Sequence, residues 1–328
     1  MKNNRPKVSV IVPVYNVEEY IERCVRSLFE QTLDSIEYIF VNDCTPDNSM
    51  SILSKVLEEY PQRKEQVCII NHSQNLGAAK VREEGVKIAT GEFIIHCDSD
   101  DWVDKEMYRL MYEKACCEDS DIVICDWYET DGIHHHPIKQ NLDTNSDILR
   151  GLLNRSINGS LCNKLIACEI YNMIAIFPTA HMMEDVAYSI QFGLNRKRKI
   201  SHIKEPLYYY YFNQSSICRR SDESSCLARC KQACENIDYI IRLLKCRGLE
   251  KKYQHELVVL KNSARVFLWP LYMKEPKRYY SIWRSTYPEI NWIYPFTSCI
   301  RYQLRIIFFL ANIGIYPYLL MLINLLRR

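Results

Sequence analysis

The first hundred residues alternate between continuous apolar runs and segments whose apolar residues recur at helical spacing. Val8 to Val14 (VSVIVPV) is a β-branched run of strand length, the pattern of a strand buried on both faces of a parallel sheet. Asn16, with Glu19 three residues on, reads as a capping box opening a helix that aligns Val17, Ile21, Val25 and Leu28. A second strand is expected over 36–41. It is followed by a loop of cap and turn residues, Asn42-Asp43-Cys44-Thr45-Pro46-Asp47, and a helix reaching Tyr60. Strands over 67–70, 93–96 and 122–125, with a helix over 76–88, continue the βα alternation. The fold class this predicts is α/β, a mostly parallel sheet with crossover helices.

From Ser221 the pattern turns helical, which places a boundary near residue 220 between a catalytic α/β domain, 1–220, and a helical region, 221–328. Ile306 to Leu326 carries no charged residue and lies between Arg301 and Arg305 on one side and Arg327-Arg328 on the other. Asn312, Gly314, Pro317 and Asn324 interrupt it, and Arg301, Arg305, Asn312 and Tyr316 fall near one helical face. The expectation is a tail, 301–328, of two short amphipathic segments lying in a membrane interface. Packing in the core or against a second copy in a homo-oligomer, and a true membrane span, are the alternatives.

Charge changes the picture by exclusion. Lys+Arg 42 against Asp+Glu 40 gives +2, with no basic excess to follow a nucleic-acid backbone. The 15 cysteines are odd in number, and MKNNRPKVSVIVPVYN has no signal-peptide pattern, so a reducing cytoplasm is expected. Cys226, Cys230 and Cys234 share a helical face and read as small core residues. His134-His135-His136, between Asp131-Gly132 and Pro137, reads as a solvated loop. Trp269, Trp283, Trp292 and the run Tyr208 to Tyr211 read as core or interface aromatics.

In parallel sheets ligands bind beyond the carboxyl ends of the strands, and here those ends carry Tyr15, Asp43, Asn75 and Asp98-Ser99-Asp100-Asp101. No GxGxxG follows the first strand and no P-loop consensus occurs, which disfavours a dehydrogenase or a P-loop ATPase. Carboxylates crowded at 98, 100 and 101 repel one another unless a cation offsets them, and hard oxygen donors select Mg²⁺ or Mn²⁺. One of them, Asp101, or else Asp104, would cap the helix expected near Lys105.

VSVIVPVYNVEEYIERCVRSLFEQT, then VNDCTPDNS, then NLGAAKVREEGVKIATGEFIIHCDSDD resemble the nucleotide-binding half of family 2 glycosyltransferases with the GT-A fold. The resemblance is dense over about residues 7–105 and returns in the acceptor half, 106–220, at Asn163-Lys164-Leu165 and Glu184-Asp185. It implies a Rossmann-like GT-A domain and an inverting, metal-dependent hexosyl- or N-acetylhexosaminyltransferase. Tyr15 and Asp43, with Pro13, look like the base site, where an aromatic face stacks on uracil and a carboxylate accepts its N3–H. Arg82 would lie near the diphosphate, Asp98 and Ser99 near the ribose or the metal shell, and Asp100 would be the principal Mn²⁺ or Mg²⁺ ligand. Glu184-Asp185 resembles the family's ED motif at the acceptor site, with Asp185 as general base.

Two departures from the family pattern are visible. The loop usually written VDDGSTDNS is VNDCTPDNS here and lacks its glycine, so an altered loop shape is expected. Relatives often carry an Arg before a Ser-Ile pair; here Ser216-Ile217 has none, and Arg219 or Arg220 would substitute in closing a loop over the diphosphate. No QxxRW follows the ED motif, which resembles the non-processive branch. The implied partners are a UDP-sugar donor and a glycan or lipid-linked oligosaccharide acceptor on the inner face of a cytoplasmic membrane, in building a capsule or O-antigen. A fold-retaining binding protein without turnover and a nucleotidyltransferase stay open as alternatives.

Overall fold

A computed structural model describes residues 5–140, 142, 147–174, 178–194, 198–213, 221–297 and 300–326, with side chains through Met321. Chain contacts divide the protein into two compact units, one of 1–148, 158–179 and 191–213, the other of 149–157, 180–190 and 214–328.

In the first unit the strands are β1 (Val8–Val14), β2 (Ile36–Asn42), β3 (Val67–Asn71), β4 (Phe93–His96), β5 (Trp102–Val103), β6 (Ile122–Thr130), β7 (His135–Ile138), β8 (Lys164–Ala167) and β9 (Ile200–Tyr211). They form one sheet in the order β3-β2-β1-β4-β8-β6-β9-β5, with β7 paired to β6. The first four are mutually parallel, as the alternating pattern predicted. The crossover helices α1 (Ile21–Phe29), α2 (Ser49–Glu59) and α3 (Ala78–Ile88) connect them, and α4 (Met107–Glu118) follows β5. Val8, Val10, Val12 and Val14 turn one face of β1 into a core shared with Cys24, Val25 and Leu28 of α1. Ile11, on the opposite face, is fully buried against α3.

Three expectations are corrected. The helix after β1 starts at Ile21, not at Asn16: Asn16 has φ 54, and no side chain caps the helix. The backbone there is held from the next loop instead, where Thr45, Ser49 and Asp47 accept the N–H groups of Asn16, Val17 and Glu18. The strand from Ile122 runs past Cys125 to Thr130, because residues 127–130 pair on both sides, with β9 and with β7. The histidine run is exposed but is no loop: the turn at Gly132 (φ 97) returns the chain as an edge strand that includes His135 and His136.

Gly85 shows how closely α3 lies on β1. A Cβ there would sit 2.5 Å from Cγ2 of Ile11, a side chain with no room to withdraw. Alanine in a helix interior normally gains about 1 kcal/mol over glycine. Overpacking of a filled core costs about 1–3 kcal/mol. Gly85→Ala is therefore expected to lower the midpoint of urea unfolding rather than raise it.

The second unit holds the start of α7 (Glu184–Phe192), then α8 (Glu223–Cys246), α9 (Gln254–Val266), α10 (Trp269–Lys274), α11 (Pro276–Ser285), α12 (Tyr302–Asn312) and α13 (Tyr316–Leu326); α5 (Ile148–Leu153) and α6 (Cys168–Tyr171) precede them in the chain. Cys226 and Cys230 of the cysteine stripe are buried and Cys234 is half-buried; all the cysteines described are free thiols. Trp269 and Trp283 pack with Tyr272, Tyr294 and Phe308 in an aromatic core. The polar stripe expected on the tail is divided: Arg301 is exposed, whereas Asn312 turns inward and donates to the carbonyl of Asn291. The outward face of α12 is apolar instead, through Tyr302, Ile306, Phe309 and Ile313, and Tyr318, Leu319 and Met321 continue the exposure on α13. Among the described residues no helix is long and apolar enough to cross a membrane.

Candidate active site

β1 and β2 stay paired to Val14 and Asn42, while β1 and β4 part after Ile11 and His96. The strand order reverses between β1 and β4, and the region beyond the carboxyl ends of two such strands is the position at which open α/β sheets take ligands. Pro13 fits this divergence, because a proline has no N–H to offer and β4 no longer asks for one. The Tyr15 side chain, just past β1, is exposed. Backbone bonds continue the ladder into the loops, Asp43 N–H to Val14 O, His72 N–H to Asn42 O and Cys97 N–H to Ile11 O. Asp43, His72 and Asp98 thus emerge along one edge.

Asp43 is nearly fully buried. Its Oδ1 accepts the N–H of Leu76 at 2.8 Å and its Oδ2 the N–H of Gly77 at 2.8 Å, which fixes the turn into α3. Gly77, at φ 83, occupies a backbone region that favours glycine. Oδ1 also lies 2.9 Å from Nδ1 of His72, whose Nε2 lies 2.7 Å from Glu84 on α3. A carboxylate has about four lone-pair directions. Three contacts leave one on Oδ2 for a ligand. Burial disfavours charge on His72, but hydrogen bonds to Asp43 and Glu84 outweigh it and raise its pKa above the ordinary value. Cys44 occupies the place of the family's glycine and has a left-handed backbone, φ 57, a region that favours glycine.

Beyond β4 the four residues 98–101 divide their tasks. Arg82 of α3 donates to Oδ1 of Asp98 at 2.7 Å, and the Asp98 side chain remains 34% exposed. Ser99 is buried. Asp100 is half-buried; burial and then the charge of Asp98 raise its pKa, while the Asn213 amide at 3.4 Å and Arg23 act against the rise. Asp101 is buried and takes no helix-capping role. Its carboxylate accepts the hydroxyl of Tyr208 at 2.6 Å and the N–H of Tyr211 at 2.7 Å, and burial with the charges of Asp100 and Asp98 raises its pKa far above the carboxylate range. Asp104 does not cap the helix either: it accepts the N–H of Glu106, the N-cap residue of α4, and no side chain caps that helix.

The backbone of this loop is held as firmly as its side chains. The Tyr208 hydroxyl also accepts the N–H of Asp98, the thiols of Cys24 and Cys97 point to the carbonyl of Asp98, and Arg23 donates to the carbonyl of Asp100. Arg23 is itself stacked against Trp102, 3.7 Å from its ring centroid. Sequence reasoning missed His72, Tyr208, Arg23 and Asn213. Of these only His72 left a signal, its place immediately after a predicted strand.

Glu184 and Asp185 belong to the second unit, half-buried in the first turn of α7, where Asp185 accepts the N–H of Val186 at 2.7 Å. The approach to this turn is fixed by Asn236 of α8, whose amide donates to the carbonyls of Ala180 and Met182. Met183 then adopts φ 65. The acidic turn is thus built with the C-terminal helices, a dependence the local motif does not reveal. Arg219, Arg220 and the Ser216-Ile217 pair lie outside the described residues.

The arrangement can seat a nucleotide base between Tyr15 and Asp43 and a diphosphate beside Arg82, Asp98 and Asp100. Comparison with known proteins identifies the fold and the family. EpsH of Bacillus subtilis (strain 168) is 34% identical over 66% of this chain and 63% of its own length, so the chain spans less than two thirds of that relative. S. aureus TarS 1-349, solved in complex with UDP-GlcNAc, is similar in fold with a TM-score of 0.56 and 18% identity, over 95% of this chain and 89% of that one. The mannosyltransferase PcManGT from Pyrobaculum calidifontis, solved with GDP-Man and Mn²⁺, gives a TM-score of 0.58 and 17% identity over 81% of this chain and 73% of that one. The fold is that of GT-A transferases. Residues 9–176, just over half of the chain, match the sequence family described as Glycosyl transferase family 2, and the chain belongs to that family.

Proposed function

We propose that this protein transfers one sugar per encounter, with inversion, from a UDP-sugar to a hydroxyl of a glycan or lipid-linked oligosaccharide, in the synthesis of a bacterial surface polysaccharide. The observation that carries the donor reading is the set of side chains gathered beyond the ends of β1 and β4, where the strand order reverses: an exposed aromatic ring, a buried carboxylate with one lone pair to spare, and the Arg82–Asp98–Asp100 group. Tyr15 stacks on uracil and Asp43 accepts its N3–H. Pro13 and Ser99 line the same region, and Arg82 offsets diphosphate charge.

Asp98 and Asp100 are oxygen donors of the kind a hard divalent cation takes when substrate oxygens and water complete its shell; among the described residues no three His, Cys, Asp or Glu side chains gather into a ready-made site. Burial first, and then the charge of Asp98, raises the pKa of Asp100. Asp100 would hold Mn²⁺ or Mg²⁺ with Asp98 beside it, and the ion would supply neutralisation of the departing diphosphate. Asp185 takes the proton of the acceptor hydroxyl as that oxygen attacks the anomeric carbon and the bond to UDP breaks, and Glu184 helps hold the acceptor. No covalent sugar–enzyme intermediate is needed.

A membrane-borne acceptor is supported by the tail. α12 presents Tyr302, Ile306, Phe309 and Ile313 outward, no acidic residue follows Glu289, and Arg301 and Arg305 supply positive charge. Such a surface suits the headgroup region of an anionic bilayer. The full chain is expected to float with phosphatidylglycerol-containing vesicles, and the exposed-site double variant Tyr302→Glu/Ile306→Glu to remain behind. Equal flotation of both would remove the membrane from the account. The reaction itself is tested by incubation with UDP-sugars and a lipid-linked acceptor fraction. UDP release coupled to acceptor labelling is expected, whereas pyrophosphate release would establish a nucleotidyltransferase.

A further inference from the structure

We propose that His72 is a positioning residue for the donor nucleotide, an imidazolium clamped between Asp43 and Glu84 that holds Asp43 at the base and ties it to the helix carrying Arg82. The proposal rests on the donor site described above and adds to it a residue that neither the motifs nor the family resemblance singled out.

Nδ1 of His72 lies 2.9 Å from Asp43 and Nε2 lies 2.7 Å from Glu84. An ionised carboxylate only accepts, so each ring nitrogen must donate, and a ring that donates twice carries a positive charge. The side chains of His72 and Asp43 are only 6% and 4% exposed, so water cannot easily replace either bond. A neutral ring would set a nitrogen lone pair against a carboxylate lone pair, and Asp43 or Glu84 would have to move or take up a proton. The charged groups facing the ring are Asp43 from the end of β2 and Glu84 from α3. Lys80 of α3 lies 3.9 Å from the other oxygen of Glu84.

The consequence reaches both ends of the nucleotide. Asp43 also fixes the N–H groups of Leu76 and Gly77 at the start of α3, and Arg82 of the same helix reaches Asp98. One ring therefore links the base carboxylate to the diphosphate arginine. The raised pKa of His72 fixes the direction of the pH effect. The imidazolium contacts are fully present below the ordinary histidine value of about 6.5 and are lost as pH rises through the raised value.

The test is calorimetric titration of UDP with Mn²⁺ into the full-length wild type, His72→Gln and Glu84→Gln between pH 6 and 8.5, with thermal melts of each. The titration of UDP itself is common to all three proteins and drops out of their comparison. At low pH the wild type is expected to bind UDP about tenfold more tightly than His72→Gln, the scale of one hydrogen bond to a charged group. That gap closes as pH rises. Glu84→Gln removes one carboxylate from the ring, so its loss of affinity is expected at lower pH than in the wild type. Glu84 is partly exposed, so this second variant carries the test if His72→Gln does not fold. A His72→Gln curve parallel to the wild type, or a Glu84→Gln curve with an unmoved midpoint, overturns the proposal while leaving the donor site standing. Absence of UDP binding by the wild type at every pH overturns both.

Discussion

Asp100→Asn is expected to lower the rate of sugar transfer by about 100-fold or more while leaving the protein as stable as the wild type or more so. The two halves of this expectation have one cause. Asp100 is pressed into a half-buried place beside Asp98, and burial and that neighbour together raise its pKa. Removing its charge relieves the crowding, which favours the folded state. The isosteric amide keeps the size of the side chain and can still meet the Asn213 amide at 3.4 Å. What it loses is the anionic oxygen that would hold a divalent cation against the diphosphate, and deleting one such electrostatic partner costs about 10²–10³ in turnover. Steady-state UDP release and urea unfolding, measured on the same preparations, check both halves. A proportionate fall in activity and stability would mean that Asp100 is a structural residue.

Asp185→Asn is expected to reduce kcat by about 10²–10⁴, the range for loss of a general base, with UDP affinity unchanged. Asn keeps an oxygen for the N–H of Val186, so the first turn of α7 should form as before. The turn is also anchored from Asn236, at a distance in sequence from Asp185 itself. UDP titration and single-turnover transfer separate the two quantities. An equal loss of UDP affinity and rate would assign Asp185 to donor binding rather than to proton transfer.

The parallel half of the sheet was legible because β1, β2 and β4 are largely buried and so read as mainly apolar runs of strand length, and because strand ends announce where polar chemistry gathers. Tyr15, Asp43 and the 98–101 cluster could be found that way. Their neighbours could not, since Tyr208 reaches Asp98 and Asp101 from β9, and Arg23 reaches Asp100 from α1, across separations that no local spacing encodes. The capping box at Asn16 misled for a related reason: side chains from the next βα loop satisfied those N–H groups, so the local residues were not needed. At Cys44, in the place of the family's glycine, the backbone lies in the left-handed region that favours glycine, which the residue type alone does not announce. On the tail, apolar residues face outward and Asn312 inward, an inversion of the pattern expected in water.

The central claim is that the region beyond β1 and β4 is a uridine diphosphate site completed by a divalent cation. It is tested most directly by calorimetric titration of UDP, GDP, dTDP and CMP into the wild type and Asp100→Asn, each with and without Mn²⁺. Selective binding of UDP that depends on Mn²⁺ and is lost in Asp100→Asn is the predicted result. A well-folded wild type that binds none of the four, or that prefers GDP, would contradict the claim.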